Sequence, residues 1–182
     1  MLTLSLFSCN EAEEPRSNTT LVSQFNGVLP AIMRNDDSLF HGIALGMTQE
    51  EVKRTAQKPD SLSQEEKGYL FYEGRISSGK EYTWECTFDE KGLASVTVDI
   101  YLKDEETAGP QFDDFRNYFT KKYGTPEDTG ESLIWTVSGK RPARIELYQE
   151  FEYAHGKLAL YFYDSSFSPR FGSGSSDSLI LP

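Results

Sequence analysis

The sequence predicts an α+β fold made of two tandem units, each a helix followed by an antiparallel β-meander. Three observations predict it: a marked helix start at Thr48, alternating apolar and polar residues in the segments that follow, and a second run of the same elements after residue 103. One unit cannot bury both its sheet face and the apolar stripe of its helix. Two units side by side can, with the helices packed on one face of the antiparallel sheet.

The first helix is expected to begin after Thr48. Thr48 and Glu51 have the spacing of a capping box, in which each side chain accepts a hydrogen bond from the other residue's backbone N–H. Met47 and Val52 fit a hydrophobic staple over the same turn. Pro59 is expected to stop the helix, because proline has no N–H and its ring clashes with the preceding turn.

Three strands are predicted after this helix. The first covers Tyr69–Tyr72 and ends at the Glu73-Gly74 pair. The second, Glu81–Phe88, alternates strictly, and the side chains expected on its buried face are those of Tyr82, Trp84, Cys86 and Phe88. A hairpin turn at Asp89–Gly92 leads to the third strand, in which Ala94, Val96, Val98 and Ile100 alternate with Ser95, Thr97, Asp99 and Tyr101.

The same order of elements starts again after a connector at 103–110. Phe112, Phe115 and Phe119 form a helical stripe, and Gly124 fits the left-handed residue that follows a helix. The strands expected next are Leu133–Val137, Ala143–Phe151 and Leu158–Tyr163. Pro59 then corresponds to Pro126 and Gly92 to Gly156, so the pattern predicts an internal repeat.

The predicted organisation has five parts. They are a signal-peptide remnant with a lipobox at 1–9, an acidic tether and lead-in at 10–39, a first unit at 40–103, a second unit at 104–164, and a disordered Ser/Gly-rich tail at 165–182. In the lead-in, Gly27 and Pro30 interrupt apolar residues at helical spacing, so we expect it to be loose and only partly packed.

The amino terminus resembles a bacterial lipoprotein signal. Leu6-Phe7-Ser8-Cys9 closes an apolar run and is similar to a lipobox, which implies cleavage before Cys9 and attachment of a lipid to its sulfur. The acidic run after Cys9 suits an unfolded spacer. The alternative is an unmodified, frayed apolar terminus. An acylated Cys9 cannot pair with Cys86, so no disulfide is expected.

The folded region resembles a known family. Gly46–Val52, then Lys58-Pro59-Asp60, then an aromatic strand and the Phe88–Leu93 hairpin are similar to the outer-membrane assembly lipoproteins of the BamE/SmpA/OmlA type. The likeness extends to the wider fold of the β-lactamase inhibitor protein, a tandem of such units. It covers roughly residues 42–163 and implies an envelope lipoprotein that binds proteins and catalyses nothing. BamE-type proteins have one unit, whereas this chain is predicted to have two.

Composition narrows the classes of partner. The formal net charge of -11 argues against a nucleic-acid partner, since the basic patch that binds phosphates is missing. The same charge is repelled by an anionic membrane surface, so membrane attachment requires an anchor. Aromatic residues make up 13% of the chain, which argues against wholesale disorder.

No pattern in the sequence indicates catalysis, a cofactor or a metal. Cys86 is expected to be a small buried hydrophobe, with a nucleophile as the alternative. His41 and His155 are isolated and lack the spacing of a zinc site. The acidic residues of 104–106 and 113–114 fit a solvated connector and a helix start better than a calcium site, which needs converging oxygens in an ordered loop.

Outward-facing tyrosines are the candidate binding residues. The tyrosines expected opposite the aliphatic rows are Tyr72, Tyr101, Tyr148, Tyr161 and Tyr163. Tyrosine buries a large area and keeps a hydroxyl for hydrogen bonding, so it suits a protein-binding surface. The alternative is that strands simply favour tyrosine.

Two functions are compatible with these patterns. The first is a non-catalytic protein-binding module, lipid-anchored to the outer membrane and facing either the periplasm or the cell surface, with envelope proteins as partners. The second is a small-ligand binder or an unrecognised hydrolase with a pocket between the two units. The lipobox, the acidic tether and the tyrosines favour the first.

Overall fold

A computed structural model of the chain describes residues 20–56, 60–76, 80–103, 105–139, 141–152 and 155–166. The candidate lipidation site Cys9, the acidic run behind it and the Ser/Gly-rich tail from residue 167 onward lie outside the described residues. The described residues therefore belong to the lead-in and the strand-rich region.

The described residues form an α+β structure with one antiparallel sheet of eight strands, which confirms the predicted fold class at this level. The strands are β1 (Ser61–Glu66), β2 (Tyr69–Arg75), β3 (Glu81–Asp89), β4 (Gly92–Tyr101), β5 (Glu127–Asp128), β6 (Ser132–Val137), β7 (Ala143–Glu152) and β8 (His155–Asp164). Their order across the sheet is β1-β2-β3-β4-β8-β7-β6-β5. The pairing of β4 with β8 therefore joins two four-stranded meanders at the centre of the sheet.

Three helices accompany the sheet: α1 (Val28–Met33), α2 (Gln49–Thr55) and α3 (Glu105–Tyr123). The α3 residue Phe119 packs on Trp135 and Phe162, with ring centroids 5.3 and 6.2 Å away. Val52 of α2 is fully buried in the same core. Among the described residues, no helix combines the length and the apolar character that crossing a bilayer requires.

The start of α2 confirms the predicted capping box. The Glu51 N–H donates to Oγ1 of Thr48 at 3.3 Å, and the Thr48 N–H donates to Oε2 of Glu51 at 2.8 Å. The helix ends at Thr55. Pro59, the predicted stop, lies outside the described residues.

The core is built from the alternating rows that the sequence predicted. In β4 and β8, Val96 pairs with Phe162, and Val98 pairs with Leu160. These four side chains are at most 2% exposed. The apolar set of each strand thus faces the helices, and the other set of each strand forms the opposite side of the sheet.

Two strands were not predicted. All six residues of β1 are exposed, and β5 is a two-residue strand with exposed side chains. Neither has an alternating apolar set, because edge strands held by backbone pairing need not bury one face. β1 also carries a register shift between Leu62 and Gln64.

β2 runs to Arg75, past the Glu73-Gly74 pair where the sequence predicted its end. Gly74 serves close packing here rather than a turn. A Cβ atom at this position would lie 2.2 Å from Cζ of Tyr82, so only glycine leaves room for that ring.

The prediction of a connector at 103–110 is wrong for most of that segment, because α3 already begins at Glu105. Ala108 is fully buried, and this contact with the core favours helix over loop. Pro110 lies inside α3, five residues after its first residue, and its missing N–H removes one backbone hydrogen bond of the helix. The predicted end is confirmed: Gly124 has a φ of 91°, and its N–H donates to the Thr120 carbonyl at 2.9 Å.

The expectation of a loosely packed lead-in is also wrong. Val28, Leu29, Ile32 and Met33 of α1 are at most 1% exposed, as buried as the central strands. Pro30 falls in the first turn of α1, where a missing N–H costs nothing. The lead-in is therefore part of the folded domain rather than of the tether.

Candidate interaction surface

The side of the sheet that faces away from the three helices is here called the open face. Its central row, from β3 to β7, consists of Glu85, Thr97, Tyr161 and Glu146, each paired with the next. Because side chains alternate along a strand, the residues two positions away on each strand belong to the same face.

Tyr72 does not lie on this face, so its predicted position is wrong. It pairs with Trp84 on the core side, is 3% exposed and stacks on the Trp84 ring with centroids 3.9 Å apart. The segment Tyr69–Tyr72 is apolar at every position, so its alternation carried no information about which residues face inward. Only pairing with the strictly alternating β3 decides this.

The other four tyrosines do lie on the open face. Tyr101 is 47% exposed at the end of β4. Tyr148 and Tyr161 are half-buried and meet edge to face, with centroids 5.3 Å apart and an interplanar angle of 87°. Tyr163 is only 6% exposed, so its neighbours on the same face cover most of it.

Glu146 occupies the centre of the tyrosine group and is 5% exposed. Its Oε1 accepts hydrogen bonds from Oγ of Ser132 at 2.7 Å and from the Tyr148 hydroxyl at 2.6 Å. Its Oε2 accepts from the Tyr163 hydroxyl at 3.2 Å. Three donors to one carboxylate fix the two tyrosine rings in place.

A second pair of this kind lies on the first meander. The Tyr69 hydroxyl donates to Oε2 of Glu85 at 2.8 Å. Sequence reasoning missed Tyr69, Glu85, Ser132 and Glu146. Alternation placed Glu85 in water, but nothing in the sequence says which hydroxyl crosses from a neighbouring strand to reach it.

These contacts disfavour ionisation of the tyrosines. Burial, with the Glu85 carboxylate as a second cause, raises the pKa of Tyr69 to about 12. Burial and the hydrogen bond to Glu146 likewise raise the pKa of Tyr148, and burial and the charge of Glu146 raise that of Tyr163. The hydroxyls therefore remain protonated donors at neutral pH.

The core side holds a separate buried polar cluster. The side chain of Asp60 is fully buried. Its carboxylate accepts a hydrogen bond from the Tyr82 hydroxyl, and Oδ2 lies 2.9 Å from a guanidinium nitrogen of Arg34. Nδ1 of the buried His41 lies 3.1 Å from the same carboxylate. Burial alone would raise the pKa of Asp60, but its contacts with His41, Tyr82 and Arg34 outweigh burial and lower that pKa.

His41 shows the opposite balance. Burial lowers the pKa of His41, although Asp60 acts to raise it. The ring stacks on Phe40 with centroids 3.8 Å apart and lies in the core, which gives a substrate no access. The cluster is therefore a polar support inside the fold.

Two further reactive residues, Cys86 and His155, belong to different strands, β3 and β8. Cys86 is fully buried, and burial strongly raises the pKa of its thiol, which disfavours the nucleophilic thiolate. His155 is the first residue of β8. Within the described part of the chain, no three His, Cys, Asp or Glu side chains converge to hold a metal ion.

Among the clefts on the described surface, three are each lined by one half of the molecule rather than by the junction of β4 and β8. One, of about 510 Å³, lies at the ends of β2, β3 and β4. A second lies between α3 and the turn before β6, and a third lies at the start of α2.

Comparison of the chain with family models, with curated protein sequences and with solved structures found no match.

Proposed function

We propose that this chain is a lipid-anchored protein of the bacterial cell envelope, attached to the outer membrane, that binds other envelope proteins without catalysing a reaction. The observation that carries the binding role is the open face, where carboxylates hold tyrosine rings in fixed positions. Rings fixed before binding lose little conformational entropy when a partner covers them. Tyrosine is also enriched where proteins meet.

The attachment of the lead-in supports an anchored orientation. The Asp36 carboxylate accepts hydrogen bonds from the backbone N–H groups of Leu21 and Val22 and from the Tyr118 hydroxyl of α3. The chain therefore enters the fold on the helical side. A lipid on Cys9 would attach the protein from that side and leave the open face turned toward partners.

A duplicated architecture forms part of the proposal. Glu85 and Glu146 both lie opposite the central β4–β8 pair of Thr97 and Tyr161. On the strand outside each glutamate, one residue pairs with it, and the residue two positions earlier donates a hydroxyl hydrogen bond to it. That donor is Tyr69 in the first meander and Ser132 in the second. This correspondence supports descent of the two meanders from one helix–meander unit.

The duplication predicts matched effects at the two glutamates. Glu85→Gln and Glu146→Gln should each lower the free energy of unfolding, with the larger loss at Glu146 because it accepts more donors. Urea unfolding measures both. A loss confined to Glu146 would argue that the two positions are unrelated.

The anchor is tested by metabolic labelling with palmitate. We expect label in the full chain and none in a Cys9→Ala variant, because the lipobox cysteine is the acylation site. Unlabelled parent protein, or label retained by the variant, removes the anchor from the proposal.

The binding role is tested by cross-linking in cells. A photo-reactive phenylalanine at Thr97, on the open face, should give cross-links to other proteins, and the same group at the exposed Asn117 of α3 should not. Replacing Tyr148 and Tyr161 by alanine should reduce the Thr97 products. Equal products at the two positions, or none at Thr97, contradict an open-face partner.

A further inference from the structure

The cleft at the ends of β2, β3 and β4 forms one corner of the open face. Its lining residues are Ser61, Glu73, Gly74, Arg75, Glu81, Tyr82, Thr83 and Tyr101. The last row of the sheet at this end is Arg75, Glu81, Tyr101 and Lys157, each paired with the next. The volume of about 510 Å³ has room for a long side chain and part of the backbone that carries it.

One wall of the cleft is an accessible aromatic ring. Tyr101 is 47% exposed, and Leu62 is the other exposed large hydrophobic residue of the described chain. A tyrosine face attracts ammonium and guanidinium groups, and the planar guanidinium of arginine also stacks on it. The wall thus suits a cationic side chain better than an aliphatic one.

The charged residues that line the cleft complement a cation as well. Glu73 and Glu81 line the cleft, and the basic residue beside them is Arg75. Arg75 Nε lies 3.5 Å from Oε1 of Glu81, with the two side chains 84% and 64% exposed. An ion pair so exposed contributes little and can be exchanged for another cation.

The rest of the described open face carries the same sign of charge. Its acidic side chains are Glu66, Glu73, Glu81, Glu85, Asp99, Glu127 and Glu146, and its basic side chains are Arg75, Arg144 and Lys157. Lys157 already lies 3.1 Å from Asp99. A basic partner therefore gains electrostatically along the face as well as in the cleft.

Contacts with the core fix the residues at the bottom of the cleft. The Tyr82 ring packs under Gly74, and its hydroxyl donates to the buried Asp60 carboxylate. Arg34 lies 3.1 Å from the same hydroxyl. The polar cluster of the core thus keeps the cleft in shape before any partner arrives.

We propose that this cleft binds an arginine side chain from a basic, extended segment of the partner. The guanidinium stacks on Tyr101 and pairs with Glu73 and Glu81, and Arg75 gives up its contact with Glu81. This inference rests on the proposed function, since it names the chemistry of the partner that the open face binds.

The test uses the full chain and fluorescent peptides that alternate threonine with arginine, lysine or glutamine, titrated at low salt. The arginine peptide should bind most tightly, lysine more weakly because it cannot stack as a plane, and glutamine least. Binding should weaken as salt is added. Equal binding of the arginine and glutamine peptides overturns the proposal.

Variants locate the site. Replacing Glu73 and Glu81 together by glutamine should weaken arginine-peptide binding about tenfold, and Tyr101→Ala about fivefold. Arg75→Gln should strengthen it about threefold, because it removes the competing cation. Glu127→Gln removes a single acidic charge at the far edge of the sheet and should leave binding within about twofold.

The Arg75→Gln variant distinguishes loss of a competing cation from damage to the fold, because a damaged fold would not bind the arginine peptide more tightly. Weaker binding by Arg75→Gln, or unchanged binding by the double glutamine variant, overturns the assignment of the cleft. If cross-links at Thr97 persist while peptides show no arginine preference, the open face still binds proteins and only the cleft assignment fails. If cross-links at Thr97 are absent, the proposed function itself fails.

Discussion

The two faces of the sheet use aromatic residues in different ways. On the core face, Trp84 stacks on Tyr72, and Phe119 packs on Trp135, with the whole ring removed from water in each case. On the open face, the rings of Tyr69 and Tyr148 are only half-buried, and hydrogen bonds from their hydroxyls to Glu85 and Glu146 hold them. Burial stabilises the first set, and polar contacts position the second.

Polar groups differ between the faces in the same way. The core-side carboxylate of Asp60 is surrounded by a tyrosine, a histidine and an arginine inside the fold. The open-face carboxylate of Glu146 is surrounded by the hydroxyls of Ser132, Tyr148 and Tyr163. The first cluster lies inside the fold, and the second orders side chains on the face that we propose binds a partner, so we expect substitutions on the two faces to affect different measurements.

The same substitution on the two faces should give the largest contrast. Tyr72→Ala removes a fully packed ring and should lower the free energy of unfolding by about 3–5 kcal/mol. Tyr161→Ala removes a half-exposed ring and should cost about 1 kcal/mol or less. Urea unfolding at neutral pH measures both; similar losses would mean that the faces do not differ as described.

Asp60→Asn should have the next largest effect. It keeps the volume but removes the charge that Arg34 and the Tyr82 hydroxyl contact, so we expect a loss of about 2–3 kcal/mol. Arg34 is 24% exposed at its side chain, which lets water relieve part of the penalty. Glu73→Gln, an exposed control, should stay within about 0.5 kcal/mol. A loss at Asp60 no greater than in the control would show that the cluster adds no stability.

Removing a tyrosine hydroxyl should have opposite signs on the two faces. Tyr148→Phe loses a bond to Glu146 and should cost about 1 kcal/mol. The buried hydroxyl of Tyr72 has no hydrogen-bond partner among the described residues, so Tyr72→Phe should be neutral or stabilising by up to about 1 kcal/mol. Differences in denaturation midpoint resolve the sign, and a clear loss in Tyr72→Phe would reveal a partner for that hydroxyl.

The smallest effect concerns acidity on the core side. The folded state holds the pKa of His41 below 6.5, mainly through burial, so the unfolded state takes up more protons as the pH falls below 6.5. Stability should therefore be fully present above that pH and decline below it. His41→Asn, which suits the φ of 50° at this position, should flatten the decline. Urea midpoints on either side of pH 6.5 test this, and an unchanged slope in the variant excludes His41 as its source.

Local patterns determined a large part of this fold. The capping box of α2, the end of α3 at Gly124 and the alternation of β3, β4 and β8 could be predicted, because each depends on residues close in the chain. The same alternation correctly placed Tyr101, Tyr148, Tyr161 and Tyr163 on one side. Where a local signal was missing, as in the exposed strand β1, prediction failed.

Tertiary structure decided what depends on residues far apart in the chain. The position of Tyr72 follows from its pairing with Trp84, and the helical start of α3 and the packed lead-in follow from burial against the sheet. The carboxylate–hydroxyl groups on the open face also join different strands, as Ser132 and Tyr163 do at Glu146. Such contacts form only when the register of neighbouring strands is fixed, so no spacing along one strand can encode them.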